Sequence, residues 1–178
     1  MPTSSEPRVE IQRADRVLAK ALRLEKGAEV VSRHQQRFID DAPFSLQTTF
    51  YPMSLVERGA TRLILPTTIP EGAVAYLARE CAIRQVGFRD TIAVRPPDET
   101  EAWFFRLPAD GRVSVFEIHR LGFDENLNRI RLTITVYPAD RNRFRVNVGK
   151  VPPRSRETDT DDDIDVHSRQ SAVPGPAG

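Results

Sequence analysis

The stretch FSLQTTFYP, residues 44–52, has a counterpart in IRLTITVYP, residues 130–138, and the reading of this pair decides the fold. In each, apolar and polar side chains alternate, which is the period of a strand, and each run ends on Tyr-Pro, where proline brings no N–H to continue a ladder. Counted back from Tyr51 and Tyr137, Thr49 aligns with Thr135, Gln47 with Thr133, Ser45 with Arg131 and Phe44 with Ile130. Alternation sends Phe44, Leu46 and Phe50 to one side and Ser45, Gln47, Thr49 and Tyr51 to the other. The second run sets Ile130, Leu132, Ile134 and Val136 against Arg131, Thr133, Thr135 and Tyr137.

Working outward, residues 29–39 read as the strand before the first run, joined to it by Asp40-Asp41-Ala42-Pro43. Residues 113–123 precede the second run, across residues 124–128. Ahead of each hairpin comes a helical pattern. Val17, Leu18, Ala21, Leu22 and Leu24 recur at helical spacing, with Gly27 where a helix stops. Asp98, with Glu101 three positions on, opens a helix through Trp103 and Phe104. The chain therefore repeats a helix-hairpin unit at a spacing of about 85 residues. Two such units are expected to join into one antiparallel sheet with helices on its apolar face, an α+β fold. Between them the sequence predicts a helical turn at 54–58, a loop at 65–70, a helix over 71–83 and a strand over 87–95; a last strand is expected at 143–148.

The ends read differently. Residues 1–11 are polar with two prolines and are expected to be a linker, so the folded domain is expected to span 12–151. Residues 152–178 contain no aromatic and six acidic residues against three arginines, a tail expected to be disordered. With a total formal charge of +1, that tail leaves a body at +4. Its DTDDDID run, residues 159–165, lacks the glycine and closing glutamate of a calcium loop. Charge so close to balance gives no footprint of a free-standing nucleic-acid binder. No apolar run is long enough to cross a bilayer, the lone Cys81 fits a reduced interior thiol, and the start shows no secretory pattern, so a cytoplasmic protein without membrane contact is expected.

The polar face of the hairpins has two readings. It is a solvated surface, since threonine and tyrosine favour strands, or it lines a ligand pocket. In the second case Arg33, Gln35 and Arg37, with Glu117 and His119 from the other copy, offer directional, charge-assisted hydrogen bonds to a phosphate or carboxylate.

Taken together, RLEKGAEVVSRHQQRF with DDAPFSLQTTFYP, then RLPADGRVSVFEIHRLGFDENLNRIRL and TVYPADRNRFRV, in that order and spacing, resemble the UTRA domain. This is the effector-binding half of HutC-type regulators in the GntR family of bacterial transcription factors. The resemblance spans about residues 13–151 and implies a chorismate-lyase-like α+β fold, a small-molecule site and dimerisation. It implies ligand contact from Arg37, at a place commonly held by a phosphate- or carboxylate-binding arginine, and from Tyr137, the tyrosine of the family pattern. Gln35 stands where a second arginine is frequent, and Gln47 where many relatives carry a glutamate. Arg131 stands at another place often held by glutamate, which favours a more anionic effector such as a phosphosugar, organic acid or amino-acid-like molecule. Thr67 and Thr68 fall near hydroxyl residues of an anion-binding loop. The polar hairpin faces themselves add Thr133, His119 and Arg89 as further expected neighbours of the effector. The family's winged helix-turn-helix has no counterpart in residues 1–23, so the chain is expected to pair with itself or with a full-length regulator and to make no direct DNA contact.

Other chemistry is weaker. His34, His119 and His167 have no metal-ligand spacing, and Ser32, Ser45 and Ser54 lie in no nucleophile motif, so neither metal nor cofactor is expected. The enzyme alternative is a chorismate-lyase-like activity on an aromatic carboxylate, using Arg37, Glu117 and Arg131.

Overall fold

The computed structural model describes residues 1–108 and 110–146. Met1–Arg143 form one unit; of the second, Phe144–Gly178, only residues 144–146 are described. In chain order the first unit contains β1 (Pro2–Ser4), β2 (Arg8–Arg13), α1 (Arg16–Leu22), β3 (Glu29–Ile39), β4 (Ala42–Pro52) and α2 (Met53–Glu57). A 3₁₀ turn (Thr61–Ile64), α3 (Ala73–Cys81), β5 (Gln85–Arg95), α4 (Glu99–Phe105), β6 (Val115–Asp124) and β7 (Arg129–Pro138) follow.

Seven strands make one antiparallel sheet in the order β1, β3, β4, β7, β6, β5, with β2 also on β3. The two Tyr-Pro runs are β4 and β7, and they pair with each other at its centre. Thr48 lies opposite Ile134, so that Gln47 faces Thr135 and Thr49 faces Thr133. The β3–β4 turn is formed by Asp40 and Asp41, both left-handed (φ 48° and 61°), a twist that suits a two-residue hairpin.

The apolar face is covered by helices, as its alternation requires. Leu18 and Leu22 of α1 pack on Val30 and Leu132, and Phe104 and Phe105 of α4 pack on Leu46, Val115 and Val136. Phe105 is fully buried, so Phe105→Ala would cost about 3–5 kcal/mol through lost transfer energy and the cavity left behind. On the opposite face, α2, the 3₁₀ turn and α3 cover part of the sheet, where Val31 and Tyr51 meet Leu55, Leu63, Tyr76 and Leu77. Their core sits at one end of the β3–β4 hairpin and leaves its polar middle uncovered by apolar side chains.

Both sheet-covering helices end alike. Arg23 and Arg106 adopt left-handed backbone (φ 55° and 56°), and the N–H of the following leucine reaches back to Ala19 O at 2.8 Å and Ala102 O at 2.9 Å. These are Schellman-type caps made by the Arg-Leu pairs of the two sequence units. Asp98 and Glu101 form the expected capping box.

Four expectations are corrected. Residues 1–11, read as a linker, contribute β1 and β2, which pair Ser4 with Arg37 and Arg8 with His34. As short edge strands they show no regular burial, so their sequence lacks alternation. The first helix stops at Arg23 rather than at Gly27. Phe44 leaves the apolar face: Arg37 pairs Ser45 while Phe38 pairs Pro43, and the extra residue, Phe44, packs its ring on Tyr137 with centroids 5.5 Å apart. The strand expected at 143–148 is absent over 143–146, its last two residues lying outside the described ones; after β7 ends at Pro138 the chain turns, with Asn142 Nδ2 donating to Pro138 O at 2.8 Å. The acidic tail likewise lies outside the described residues.

Candidate functional site

A cavity of about 320 Å³ opens between the polar face of β3–β4 and the chain from Thr68 to α3. Its floor is Arg33, Gln35 and Arg37 of β3, Gln47, Thr49 and Tyr51 of β4, and Arg131 of β7, with Ser4 at one side. Its wall is Thr68, Ile69, Glu71 and residues 72–75.

Arg33 builds that wall. The side chain is buried and reaches no carboxylate among the described residues; Nη1 donates to the carbonyls of Arg62 (3.2 Å), Leu63 (2.7 Å) and Leu65 (2.8 Å), and Nη2 to that of Thr67 (2.7 Å). Burial holds its pKa below the usual guanidinium value. A planar fork satisfying four carbonyls fixes the 3₁₀ turn and the segment that follows it. Thr68 then lies at the cavity, its N–H and hydroxyl donated to Glu6 at 2.9 and 3.2 Å.

The start of α3 is open. Its N-cap is Gly72, with φ 80° and ψ 150°, and no side chain caps the helix. The first-turn N–H groups of an α-helix have no partner within it, and here residues 73–75 line the cavity. Across from them, Arg37 and Arg131 have no carboxylate within ion-pair distance among the described residues. Arg37 is exposed at the rim. Arg131 is steadied by Gln85 Oε1 at 2.8 Å and Thr133 Oγ1 at 3.2 Å. Burial raises the pKa of the Tyr51 phenol, offset in part by Arg131 and Arg33, so this tyrosine is a neutral donor. Glu71, the acidic residue of the wall, is held by Arg79 at 2.7 Å and Arg62 at 3.3 Å. Two arginines, hydroxyl and amide groups and an uncapped helix start thus converge on a space fit for a small anion. A larger hollow, about 690 Å³, runs along α4 beside Trp103 and Arg106, but Asp98 and Glu99 flank it and no second element brings polar groups to meet them.

Of the residues expected at the site, Arg37, Gln47 and Arg131 are brought together. Thr133 lies buried just beneath, 3.1 Å from Thr49 and bonded to Arg131. Thr67 contributes a carbonyl to Arg33, and its neighbour Thr68 does the lining. Tyr137 shares the polar face yet sits beyond the cavity against Phe44, near Arg37, Arg120 and Asp90, and does not line it. His119 and Arg89 lie on the opposite face from this cavity: His119 pairs with Ile134, and Arg89 with Leu121, so both point with the apolar residues. Glu117 pairs with Val136 on that same face, where its carboxylate meets Arg95 and His119, each at 2.6 Å. The Arg37–Glu117–Arg131 constellation of the lyase reading is therefore not formed. The sequence reading missed the α3 start and Ser4; Pro70-Glu71-Gly72 before an apolar helix was the available signal for the first.

An antiparallel sheet whose polar face is partly roofed by α2, the 3₁₀ turn and α3, and holds such a cavity beside them, makes this an α+β domain. The UTRA domain model matches residues 3–143, and the chain belongs to that family. Among solved structures it is similar to a GntR-family transcriptional regulator from Bacillus cereus, with TM-score 0.71 and 14% identity over 83% of this chain and 99% of that one. It is also similar to PhnF from Mycobacterium smegmatis, with TM-score 0.68 and 26% identity over 84% of this chain and 64% of that one. The ligand-binding domain of a GntR-family regulator from Bordetella bronchiseptica gives TM-score 0.70 and 16% identity, over 84% and 90%. No curated protein sequence matches the chain.

Proposed function

We propose that this chain is the effector-sensing domain of a HutC-type GntR regulator, binding a small anionic molecule of the phosphosugar, organic-acid or amino-acid class in the cavity over β3–β4. The reading rests on one observation: Arg37 and Arg131, without carboxylate partners among the described residues, face the uncapped start of α3 across a single cavity. Arg37 and Arg131 hold the anionic head, the N–H groups of residues 73–75 complete its shell, and Gln47 and Tyr51 select the remainder. The domain is non-enzymatic, needs no cofactor and acts in the cytoplasm.

Dimerisation belongs to the same proposal. On the edge strand β5, Phe88, Ile92 and Val94 are 54%, 47% and 62% exposed. Their partners Gly122, Ile118 and Phe116 place them on the cavity face, where a second protomer would cover them. An effector seated beside that surface shifts the pair of protomers only as far as it binds one arrangement better than the other. DNA recognition belongs to a winged helix-turn-helix, which the described residues do not contain.

Thermal-shift screening of phosphosugars, organic acids and amino acids identifies the ligand class, and calorimetry on the best one tests the site. Arg37→Ala is expected to weaken an anionic effector by about 10- to 100-fold, the worth of one charge-assisted hydrogen bond. Unchanged affinity would remove Arg37 and, with it, the proposed site. Incubation with chorismate is expected to release no 4-hydroxybenzoate.

A further inference from the structure

Arg89, displaced from the effector cavity by its register, lies in a cleft on the other face of the sheet. That cleft, about 350 Å³, is lined by Arg23, Arg89 and Arg129 with Phe123 and Leu127. It shares no lining residue with the effector cavity. Among the described residues none of its three arginines is within ion-pair distance of a carboxylate. Part of Arg129 is structural: Nη1 donates to Lys20 O at 3.0 Å and Ala21 O at 2.7 Å, closing carbonyls at the end of α1. Its Nε, however, is buried without a partner among the described residues. Burial, then the charges of Arg23 and Arg89, hold the Arg129 pKa below its usual value, so like charges repel in this cleft. Arg89 stacks over the Phe123 ring at 5.6 Å, which holds its guanidinium plane against an apolar wall. Arg23 occupies left-handed backbone that glycine would adopt freely.

We propose that this cleft is a second anion site, taking a small carboxylate or phosphate ester carried on an apolar body. Arg23, Arg89 and Arg129 hold the charged head through directional N–H donors, and Phe123 and Leu127 hold the body. It acts independently of the effector cavity, because the sheet separates the two.

Amide-resolved NMR titration of the full chain with phenyl phosphate, beside inorganic phosphate, tests the site. Saturable shifts are expected at the amides of Arg89, Phe123, Leu127 and Arg129, with phenyl phosphate bound more tightly than inorganic phosphate. Arg89→Ala and Arg23→Gly are each expected to weaken binding by about tenfold or more, whereas Arg37→Ala leaves it unchanged. Arg23→Gly relieves the left-handed backbone while deleting the cation, so its melting temperature is expected to hold and a loss of binding cannot be blamed on unfolding. Absence of saturable shifts at these amides, affinity unchanged in both variants, equal weakening by Arg37→Ala, or no preference for the phenyl ester would each overturn the proposal.

Discussion

Thr49 and Thr133, 84 residues apart in the chain, share a hydrogen bond of 3.1 Å at the seam where β4 meets β7. Thr133 also accepts from Arg131 at 3.2 Å, so the seam pair helps to set the direction of a cavity cation. Replacing either threonine by valine keeps the shape and strands a buried polar partner. Thr133→Val is expected to cost about 1–2 kcal/mol in urea unfolding, and the double variant less than the sum of the two. It is also expected to weaken effector binding, since Arg131 loses one of its anchors. Strictly additive losses with unchanged affinity would show that the seam bond does not orient Arg131.

Arg33 is expected to be the most costly polar residue to replace. Arg33→Leu leaves the carbonyls of Arg62, Leu63, Leu65 and Thr67 without their donor, a loss of about 3 kcal/mol or more. Arg33→Lys keeps the charge but not the fork and restores only part of it. Hydrogen exchange distinguishes wall from floor: amides of residues 61–68 are expected to lose protection before those of β4 do. Uniform loss across both would mean that Arg33 supports the sheet rather than the loop.

His34 gives the protein a pH dependence separable from its carboxylates. Its ring meets the Thr48 hydroxyl at 2.9 Å, and burial first, then the charge of Arg8, lowers its pKa below 6.5. The unfolded chain therefore binds this proton more readily than the folded one. The stabilisation is complete above pH 6.5 and declines as pH falls from 6.5 toward the folded pKa. His34→Gln is expected to flatten the melting temperature over that window and leave the steeper acid limb of the carboxylates in place. A wild-type profile already flat there would disprove the assignment.

How much of this was legible in the sequence depended on what each inference required. The hairpins, the capping box at Asp98 and the α3 helix follow from local period and cap chemistry, which a single segment carries. Arg37, Gln47 and Arg131 were legible because alternation within β3, β4 and β7 puts them on the polar side of each strand, and the β3–β4 and β4–β7 pairings bring those sides onto one face. His119 and Arg89 were not, since their face depends on the register of β6 against β7 and β5 against β6, and a shift of one residue reverses it. Tyr137 keeps the polar face that alternation gives it, but its contact with Phe44 follows from a two-against-one pairing that alternation does not announce. The short edge strands β1 and β2 carry no core pattern, so their residues read as linker.

Gly72 joins backbone strain to the proposed anion shell. At φ 80° and ψ 150° it occupies a region essentially reserved for glycine, and a Cβ built there meets nothing within 4 Å. Any penalty for Gly72→Ala is therefore conformational rather than steric, about 1–3 kcal/mol. If α3 relieves the strain by rotating its first turn, the N–H groups of residues 73–75 swing away from Arg37 and Arg131. The variant is then expected to lose anion affinity by about tenfold beyond what its stability predicts, the effect of one charge-assisted hydrogen bond. A backbone carrying D-alanine at this position, which favours positive φ, is expected to restore both stability and binding. Loss of stability with full affinity would show that the start of α3 is only a wall of the cavity, and that the arginines alone hold the anion.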